Sequence, residues 1–548
     1  MKNIKNNKKT IVFCAAAAVL SAAVSYGISF FGGAFVQSRF PSGVIAADGE
    51  RYLYTLLYVF AFALVLVRML CGQSRLQKER LDTVIIFYTL FLFTFTFTYY
   101  EDTKMIYENA RVMKSAIKHG EFFHYYDYAF IQSKYRMNAN YNVMLYFIYI
   151  ICFLPYDIAN KIVGDVPLYY GHIWYNFIVC LVYMFTAHQV KRLLKIWNIP
   201  EKTADLIGIL YFMNPILLFT TVGMSQLEIF YIAVFLEGLI MFEKGKTDKA
   251  CLVWSVSVAM KMFPVLVVIP LLLLREKKLL KLARYVAEVM GLSLVFHLIY
   301  GSSEGWIQNQ LYSPHYRKLF ADLLPAQTGA AAVFLVVYLL ILFICWAYKG
   351  KEDFKITLLC GLAVYTAFLC FCGWNPQYIA MTGLFLVLAA LLAKEPYLYL
   401  GIETFLSLGY ILTVWYHFGD VNNTMVLCGI VGGFRFIDTL PVLFSEFVSG
   451  ITTFEHTEEA AVSISTAAGL FLVAYCLYSV WKRKEDLPDG KSLKSLKAAT
   501  GSPKQSLGAE KEDKIDGSAW DFPVGYLYLP MLPVYAMLLL SGILSFSS

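Results

Sequence analysis

Residues 330–348 read AAAVFLVVYLLILFICWAY, nineteen residues without a single charged side chain. A helix needs about 20 mainly apolar residues to cross the hydrocarbon core of a bilayer. Blocks of similar length recur along the whole chain. Transmembrane β-strands would be about 10 residues long with alternating polarity. The pattern therefore excludes a membrane β-barrel and predicts a polytopic membrane protein built from helices.

The composition of the whole chain points to the same class. Hydrophobic residues make up 59% of the 548 residues, charged residues only 16%, and the mean hydropathy is +0.58. Soluble domains carry about 45–50% apolar and about 25% charged residues. A soluble enzyme, a nucleic-acid-binding protein and a disordered protein are therefore excluded. The 11 cysteines lie in or beside apolar runs, which predicts buried thiols and neither a disulfide framework nor a zinc site.

The distribution of basic residues predicts the topology. With the N-terminus in the cytoplasm, 32 of the 46 Lys and Arg residues lie on the inner side, as the positive-inside rule requires. Residues 141–163 must then lie on the outer face or dip and return, and residues 249–274 form a re-entrant pair of short helices broken near Lys261. The fold class is all-α, with about 13 transmembrane helices and outer amphipathic helices. The predicted spans are residues 10–33, 51–70, 82–99, 168–190, 203–222, 226–242, 281–300, 330–348, 356–372, 376–393, 396–418, 461–481 and 522–546.

The chain is expected to contain one catalytic core with additions at both ends. The regions are two added N-terminal helices (1–80), the membrane core (81–420), an outer segment with a helix (421–481), a basic disordered cytosolic linker (482–517) and a last helix (518–548).

The chemically active side chains are expected in the outward segments. Glu101 and Asp102 are adjacent at the end of a predicted span, where a carboxylate with water access and a partly apolar wall suits general-base catalysis. An ordinary interfacial acid is the alternative interpretation. An amphipathic helix then lies on the outer surface. In the loop 301–329, His315 and Arg317 lie on the side where basic residues are rare. Such a cation suits a phosphate, although it could equally anchor the loop to lipid headgroups.

Two polar interruptions and one lysine complete the set of candidates. The first interruption contains Gln226 and Glu228, and the helix dipole alone would explain an acid at that position. The second contains Asn375, Gln377 and Tyr378. Lys261 lies within an apolar run, where an ionisable group costs about 2.5–3.5 kcal/mol. An anionic phosphate would be one partner for Lys261, and snorkelling to an interface is the alternative.

Four short motifs follow one another between residues 82 and 420. They are Asp102 with Tyr107, Ala110 and Gly120; Asn214-Pro215 followed by Ser225-Gln226-Leu227-Glu228; Lys261 followed by Pro264 and Pro270; and Pro376-Gln377-Tyr378. Their order resembles that of polytopic GT-C glycosyltransferases, most closely the polyprenol-phosphate-dependent hexosyl- and mannosyltransferases of glycosyltransferase family 87. Ser225 stands in place of the family's glycine, and Glu228 in place of a shorter acid or amide. The spacing from acid to tyrosine is one residue longer than in the family, so the pattern does not rank Glu101 against Asp102.

The resemblance implies an inverting transfer of a hexose from a polyprenyl-phosphate sugar to a glycan or lipid acceptor at the outer leaflet. It implies Asp102 as the base, with Glu101 as second choice. The candidate substrate ligands are Lys261, Arg317, His315, Gln226, Glu228, Asn375, Gln377 and Tyr378.

The remaining expectations concern cofactors, location and rival functions. No motif indicates a nucleotide cofactor, no nucleic-acid partner is expected, and a divalent cation on the two adjacent acids stays open. A multi-pass protein of a bacterial plasma membrane is expected. The alternatives are a lipid-linked sugar flippase or transporter, a polysaccharide polymerase or ligase, and a non-catalytic scaffold subunit.

Overall fold

A computed structural model of the chain shows a helical protein, as the sequence predicts. Within the described residues the only strands form one short antiparallel hairpin. The described residues are 10–24, 48–71, 80–96, 101–132, 139–311, 319, 323–326, 329–349, 353–417, 457–485 and 524–536. The predicted outer segment up to residue 456 and most of the cytosolic linker lie outside these ranges.

The helices follow the apolar blocks, and their breaks fall at the polar interruptions. In the first half they are α1 (Thr10–Val24), α2 (Asp48–Cys71), α3 (Arg80–Thr96), α4 (Glu101–Lys118), α5 (Tyr125–Gln132), α6 (Val143–Val163), α7 (Leu168–Ile196), α8 (Glu201–Met213) and α9 (Pro215–Leu218), which a π-turn extends over Phe219–Gly223. In the second half they are α10 (Glu228–Glu243), α11 (Thr247–Met260), α12 (Val265–Arg275), α13 (Leu279–Tyr300), α14 (Glu304–Trp306), α15 (Val333–Ala347), α16 (Phe354–Phe371), α17 (Ala380–Ala389), α18 (Pro396–His417) and α19 (Thr457–Glu485), followed by the helical segment Val524–Ala536.

The hairpin is the one exception to the helical prediction. Strand β1 (Leu323–Ala326) pairs with β2 (Gly329–Ala332), with Leu323 opposite Ala332. Helix α15 therefore begins at Val333, and the three alanines that open the stretch 330–348 belong to a strand. Alanine has the highest helix propensity, so tertiary pairing overrides the local preference here.

Six of the described helices are long and apolar enough to cross a membrane, or seven if the bent pair of α8 and the segment Pro215–Gly223 counts as one span. The two parts of that pair meet at 49°. These helices fit a multi-pass membrane protein, but they do not confirm the predicted thirteen spans. Helix α6 is among the six. It runs unbroken through Pro155 and is long enough to cross a membrane. The sequence analysis instead expects residues 141–163 to lie on the outer face or to dip and return.

Helices α11 and α12 form a hairpin around the break at Lys261. At 1.5 Å per residue they are about 21 and about 16 Å long. Helix α11 packs along α10, where the Trp254 indole donates to the carbonyl of Phe235 (3.1 Å). At the far end of α12, Arg275 pairs with Glu243 at the end of α10. The start of α11 and the end of α12 therefore lie near the same end of α10, and the re-entrant pair expected for residues 249–274 stays a prediction.

The N-terminal helices are joined to the rest of the bundle by a buried ion pair. The Arg68 guanidinium donates to Asp82 (2.8 Å) between α2 and α3, and the Tyr528 hydroxyl donates to the same carboxylate (2.7 Å). Both charged side chains are fully buried, so each provides the charge compensation that the other requires.

Candidate functional site

Several helix ends meet at one place in the bundle. Helices α4, α10 and α12 begin there, and α11 and α16 end there. The backbone polar groups at a helix end lack intrahelical partners, so this convergence concentrates hydrogen-bonding groups in an otherwise apolar structure.

The first contact in this region joins α4 to the turn before α17. The Gln377 side-chain amide donates to Asp102 Oδ2 (2.7 Å), although the two residues are 275 positions apart in the chain. The next residue of α4, Thr103, donates to the carbonyl of Ser225 (3.1 Å) in the turn before α10. Ser225 has φ = +51°, in the left-handed region where a side chain is unfavourable. That conformation gives a physical reason for the glycine that the resembled family carries at this position.

The second contact is a buried ion pair between Glu228 and Lys261. Glu228 is fully buried in the first turn of α10, and the side chain of Lys261 is 10% exposed in the break between α11 and α12. The sequence analysis leaves a phosphate partner or snorkelling open for Lys261, and the structure adds a contact that it did not foresee, with the Glu228 carboxylate. Glu228 and Lys261 are 33 positions apart in the chain, so the sequence alone does not predict their contact.

Aromatic rings surround the ammonium of Lys261. Its nitrogen lies 4.9 Å from the ring centre of Tyr378, 5.5 Å from that of Tyr141 and 5.4 Å from that of Phe263. Each is within the range of a cation–π contact. The Asp102 carboxylate acts electrostatically on Glu228, Tyr141 and Tyr378, so the two contacts belong to one cluster.

A cavity of about 270 Å³ opens beside this cluster. Its lining is mainly apolar and includes Met262, Phe263 and Leu266, with a few polar side chains such as Asn142 and Asn309 among them. Lys261 and Tyr378 also line it. Binding sites for small molecules are characteristically apolar with a few oriented polar groups, and this cavity has that character.

Three buried oxygens of the cluster lack a hydrogen-bond partner among the described residues. They are Gln226 Oε1, Glu228 Oε2 and Gln377 Oε1. Leaving a buried polar group unsatisfied costs about 1–3 kcal/mol, so the cluster holds three oxygens that are able to accept a further hydrogen bond.

The structure brings together five of the residues that the sequence singles out: Asp102, Glu228, Lys261, Gln377 and Tyr378. Gln226 lies buried in the turn between Ser225 and Glu228. Asn375 lies at the turn before Gln377, where its carbonyl accepts from the Tyr378 amide (2.8 Å). Glu101 is the first residue of α4, but its side chain lies outside the described part. His315 and Arg317 also lie outside the described residues.

The sequence analysis missed several residues that line the cavity. Tyr141 and Asn142 precede α6, and the Asn142 amide donates to the carbonyl of Ala259 (2.7 Å). Burial, followed by the nearby Asp102 carboxylate, raises the pKa of Tyr141 well above its ordinary value, so this hydroxyl stays protonated. Asn309 and Gln310 also line the cavity, and these two belong to the outer loop 301–329 that the sequence analysis singles out. Asn140, Tyr141 and Asn142 directly precede an apolar run. This polar interruption was the sequence pattern from which Tyr141 and Asn142 could have been predicted as site residues.

The described residues contain no group of three His, Cys, Asp or Glu side chains placed to hold a metal ion. Comparison of the chain with family models finds no match, and comparison with curated proteins finds none either. The resemblance to GT-C glycosyltransferases therefore stays a prediction based on the motifs.

Proposed function

We propose that the chain is a membrane glycosyltransferase that moves a hexose, with mannose among the candidates, from a polyprenyl-phosphate sugar to a glycan or lipid acceptor. The observation that carries the proposal is the cluster of Asp102, Gln377, Glu228 and Lys261 beside a cavity that is mainly apolar and has a few polar side chains in its lining. A carboxylate, a cation and unsatisfied oxygens are the groups that such a transfer needs.

In the proposed reaction an acceptor hydroxyl attacks the anomeric carbon of the donor sugar. The new bond forms between the acceptor oxygen and that carbon, while the bond from the carbon to the phosphate oxygen breaks. Asp102 takes the hydroxyl proton, and the polyprenyl phosphate leaves with the bonding electrons. Gln377 fixes the orientation of the Asp102 carboxylate through its amide, which places the base before the substrate arrives.

The leaving phosphate requires a positive charge close to the anomeric carbon. Glu228 accepts from the Lys261 ammonium, and an ammonium has three N–H donors. Donors thus remain on Lys261 for a phosphate oxygen. The side chains of Met262, Phe263 and Leu266 offer an apolar wall for the adjoining prenyl units. Arg317, which lies outside the described residues, stays a candidate for a second phosphate ligand from the sequence alone.

The proposed location is the outer face of a bacterial plasma membrane, with the N-terminus in the cytoplasm. The donor class separates this proposal from its rivals. Purified protein would be supplied with labelled monosaccharides on polyprenyl monophosphate, labelled oligosaccharides on polyprenyl diphosphate, and a panel of glycan and lipid acceptors. We expect transfer from a monophosphate donor. Transfer only from a diphosphate donor would indicate a polymerase or ligase, and movement of the lipid-linked sugar across vesicles without transfer would indicate a flippase.

A further inference from the structure

A second cavity lies between α4 and α6. Its volume is about 430 Å³, and its wall includes Lys104, Arg111, Lys114, Asp157 and Lys161. Because consecutive helical residues are rotated by about 100°, the three cations of α4 lie about 120–200° around that helix from Asp102. The cavity is therefore on the opposite side of α4 from the cluster that contains Asp102.

The second cavity is a groove between α4 and α6, and the charges of the side chains that line it do not balance. Besides the four cations, its wall contains two acids, Glu108 and Asp157. The Tyr107 hydroxyl donates to one oxygen of Asp157 (2.5 Å), and Lys114 pairs with the other. Glu108 faces Arg111 at 3.4 Å in an exposed pair, and water screens such a pair strongly. Lys161 has no ion pair among the described residues, so the side chains that line the groove carry more positive than negative charge.

The floor of the groove is fixed by aromatic packing. The Tyr107 ring stacks on Phe153 with centres 4.1 Å apart, and Tyr156 meets it edge-on. The Tyr156 hydroxyl is held by the carbonyl of Val166 (2.9 Å). Burial and the hydrogen bond to Asp157 raise the pKa of Tyr107, so the phenol adds no negative charge. A rigid floor holds the surrounding cations at a defined spacing.

The surface beside the groove is apolar and exposed. Ile151, Leu154, Ile158 and Ile162 form a stripe along α6 at helical spacing, and all four side chains are exposed. Asp157 and Lys161 on the same helix line the groove. A stripe of this kind suits acyl chains, whereas the excess of cations next to it suits an anion. Guanidinium and ammonium groups together are well suited to binding phosphate oxygens.

We propose that the groove between α4 and α6 binds the phosphate of an anionic lipid headgroup, with the acyl chains of that lipid lying along the exposed stripe of α6. The site is separate from the cluster at Asp102. It does not rest on the proposed transferase activity.

The test measures lipid retention by native mass spectrometry of the full chain in a neutral detergent. The probes are phosphatidylglycerol, which is anionic, and phosphatidylcholine, which has a phosphate but no net charge. The groove variant is Arg111→Gln with Lys161→Gln. The matched control is Lys118→Gln with Lys202→Gln, which removes two exposed cations that do not line the groove.

We expect the wild-type chain and the control to retain phosphatidylglycerol in preference to phosphatidylcholine. The groove variant should bind phosphatidylglycerol about tenfold more weakly, as the loss of charge-assisted hydrogen bonds predicts. Equal retention by the groove variant and the wild type would overturn the proposal. If the double variant does not fold, as judged by gel filtration, Lys161→Gln alone takes its place, because Lys161 is exposed and has no ion pair in the described part of the chain.

A parallel titration uses inorganic phosphate and follows thermal unfolding. A lipid site predicts that millimolar phosphate gives much less stabilisation than phosphatidylglycerol does. Equal stabilisation by the two probes would overturn the assignment to a lipid and indicate a site for a soluble phosphate.

Discussion

The ion pair between Glu228 and Lys261 gives the most demanding prediction of the structure. Glu228 is fully buried and the side chain of Lys261 is 10% exposed. Removing one member of such a pair leaves a buried charge without compensation, which costs about 3–5 kcal/mol. We therefore expect Lys261→Met to lower the free energy of unfolding by about that amount.

The double variant Glu228→Gln with Lys261→Met should be less damaged than Lys261→Met alone. Replacing both charges of a buried pair with neutral groups of similar volume is often close to neutral for stability. The double variant should therefore recover most of the unfolding free energy. It should not recover glycosyl transfer, because the proposed cation at the leaving phosphate is still absent.

The assay is unfolding by sodium dodecyl sulfate in mixed micelles, followed by tryptophan fluorescence. Arg192→Gln is the control, because Arg192 pairs with Glu237 at 2.8 Å while both side chains are about one-third exposed. Such a pair contributes less than about 1 kcal/mol. If Lys261→Met lowers the free energy of unfolding as little as Arg192→Gln does, the stabilising role of the buried pair is refuted. A double variant that is no more stable than Lys261→Met would refute it as well.

Further substitutions probe the turn before α10, the packing of α14 and the turn before α17. Ser225 has φ = +51°, where a side chain costs about 1–2 kcal/mol relative to glycine. Ser225→Gly should therefore unfold no more easily than the wild type, and Ser225→Val should be less stable than Ser225→Gly by about that amount. Equal unfolding of the two variants would contradict this. In Gly305→Ala the new Cβ would lie 2.3 Å from a backbone oxygen of α5, so we expect the free energy of unfolding to fall by about 1–3 kcal/mol. Gly401→Ala is the control, because a Cβ there would meet open space, and it should be at least as stable as the wild type. Gln377→Leu should slow transfer about tenfold by releasing the carboxylate it orients, and an unchanged rate would remove Gln377 from the site.

The helical class follows from the sequence because apolar blocks and charge distribution are local properties. Most breaks between helices also fall where polar residues interrupt the blocks, as at Ser225 and Lys261. The hairpin at 323–332 does not follow, because its alanines favour a helix and only pairing makes them a strand. The number of spans stays a prediction, since helices such as α12 and α15 are shorter than a full crossing.

Five members of the candidate site can be predicted from the sequence, but the contacts between them cannot. Asp102 and Gln377 belong to separate motifs, and their contact depends on how α4 meets the turn before α17. Glu403 is a buried acid whose partner also cannot be predicted from the sequence. This acid lies within an apolar run, and it accepts a hydrogen bond from Asn214 (2.6 Å) 189 positions away. An ionisable residue within a membrane segment is a functional signal by default, and the sequence analysis passed over Glu403.

The central claim is that Asp102 takes the acceptor proton during glycosyl transfer. The most direct measurement is the single-turnover rate of hexose transfer from a polyprenyl-phosphate donor by the wild type, Asp102→Asn and Asp165→Asn. Asp165 is an exposed acid after α6 and serves as the isosteric control. The account predicts a rate about 10²–10⁴-fold lower for Asp102→Asn, with Asp165→Asn unchanged. Transfer by Asp102→Asn at the wild-type rate would contradict it.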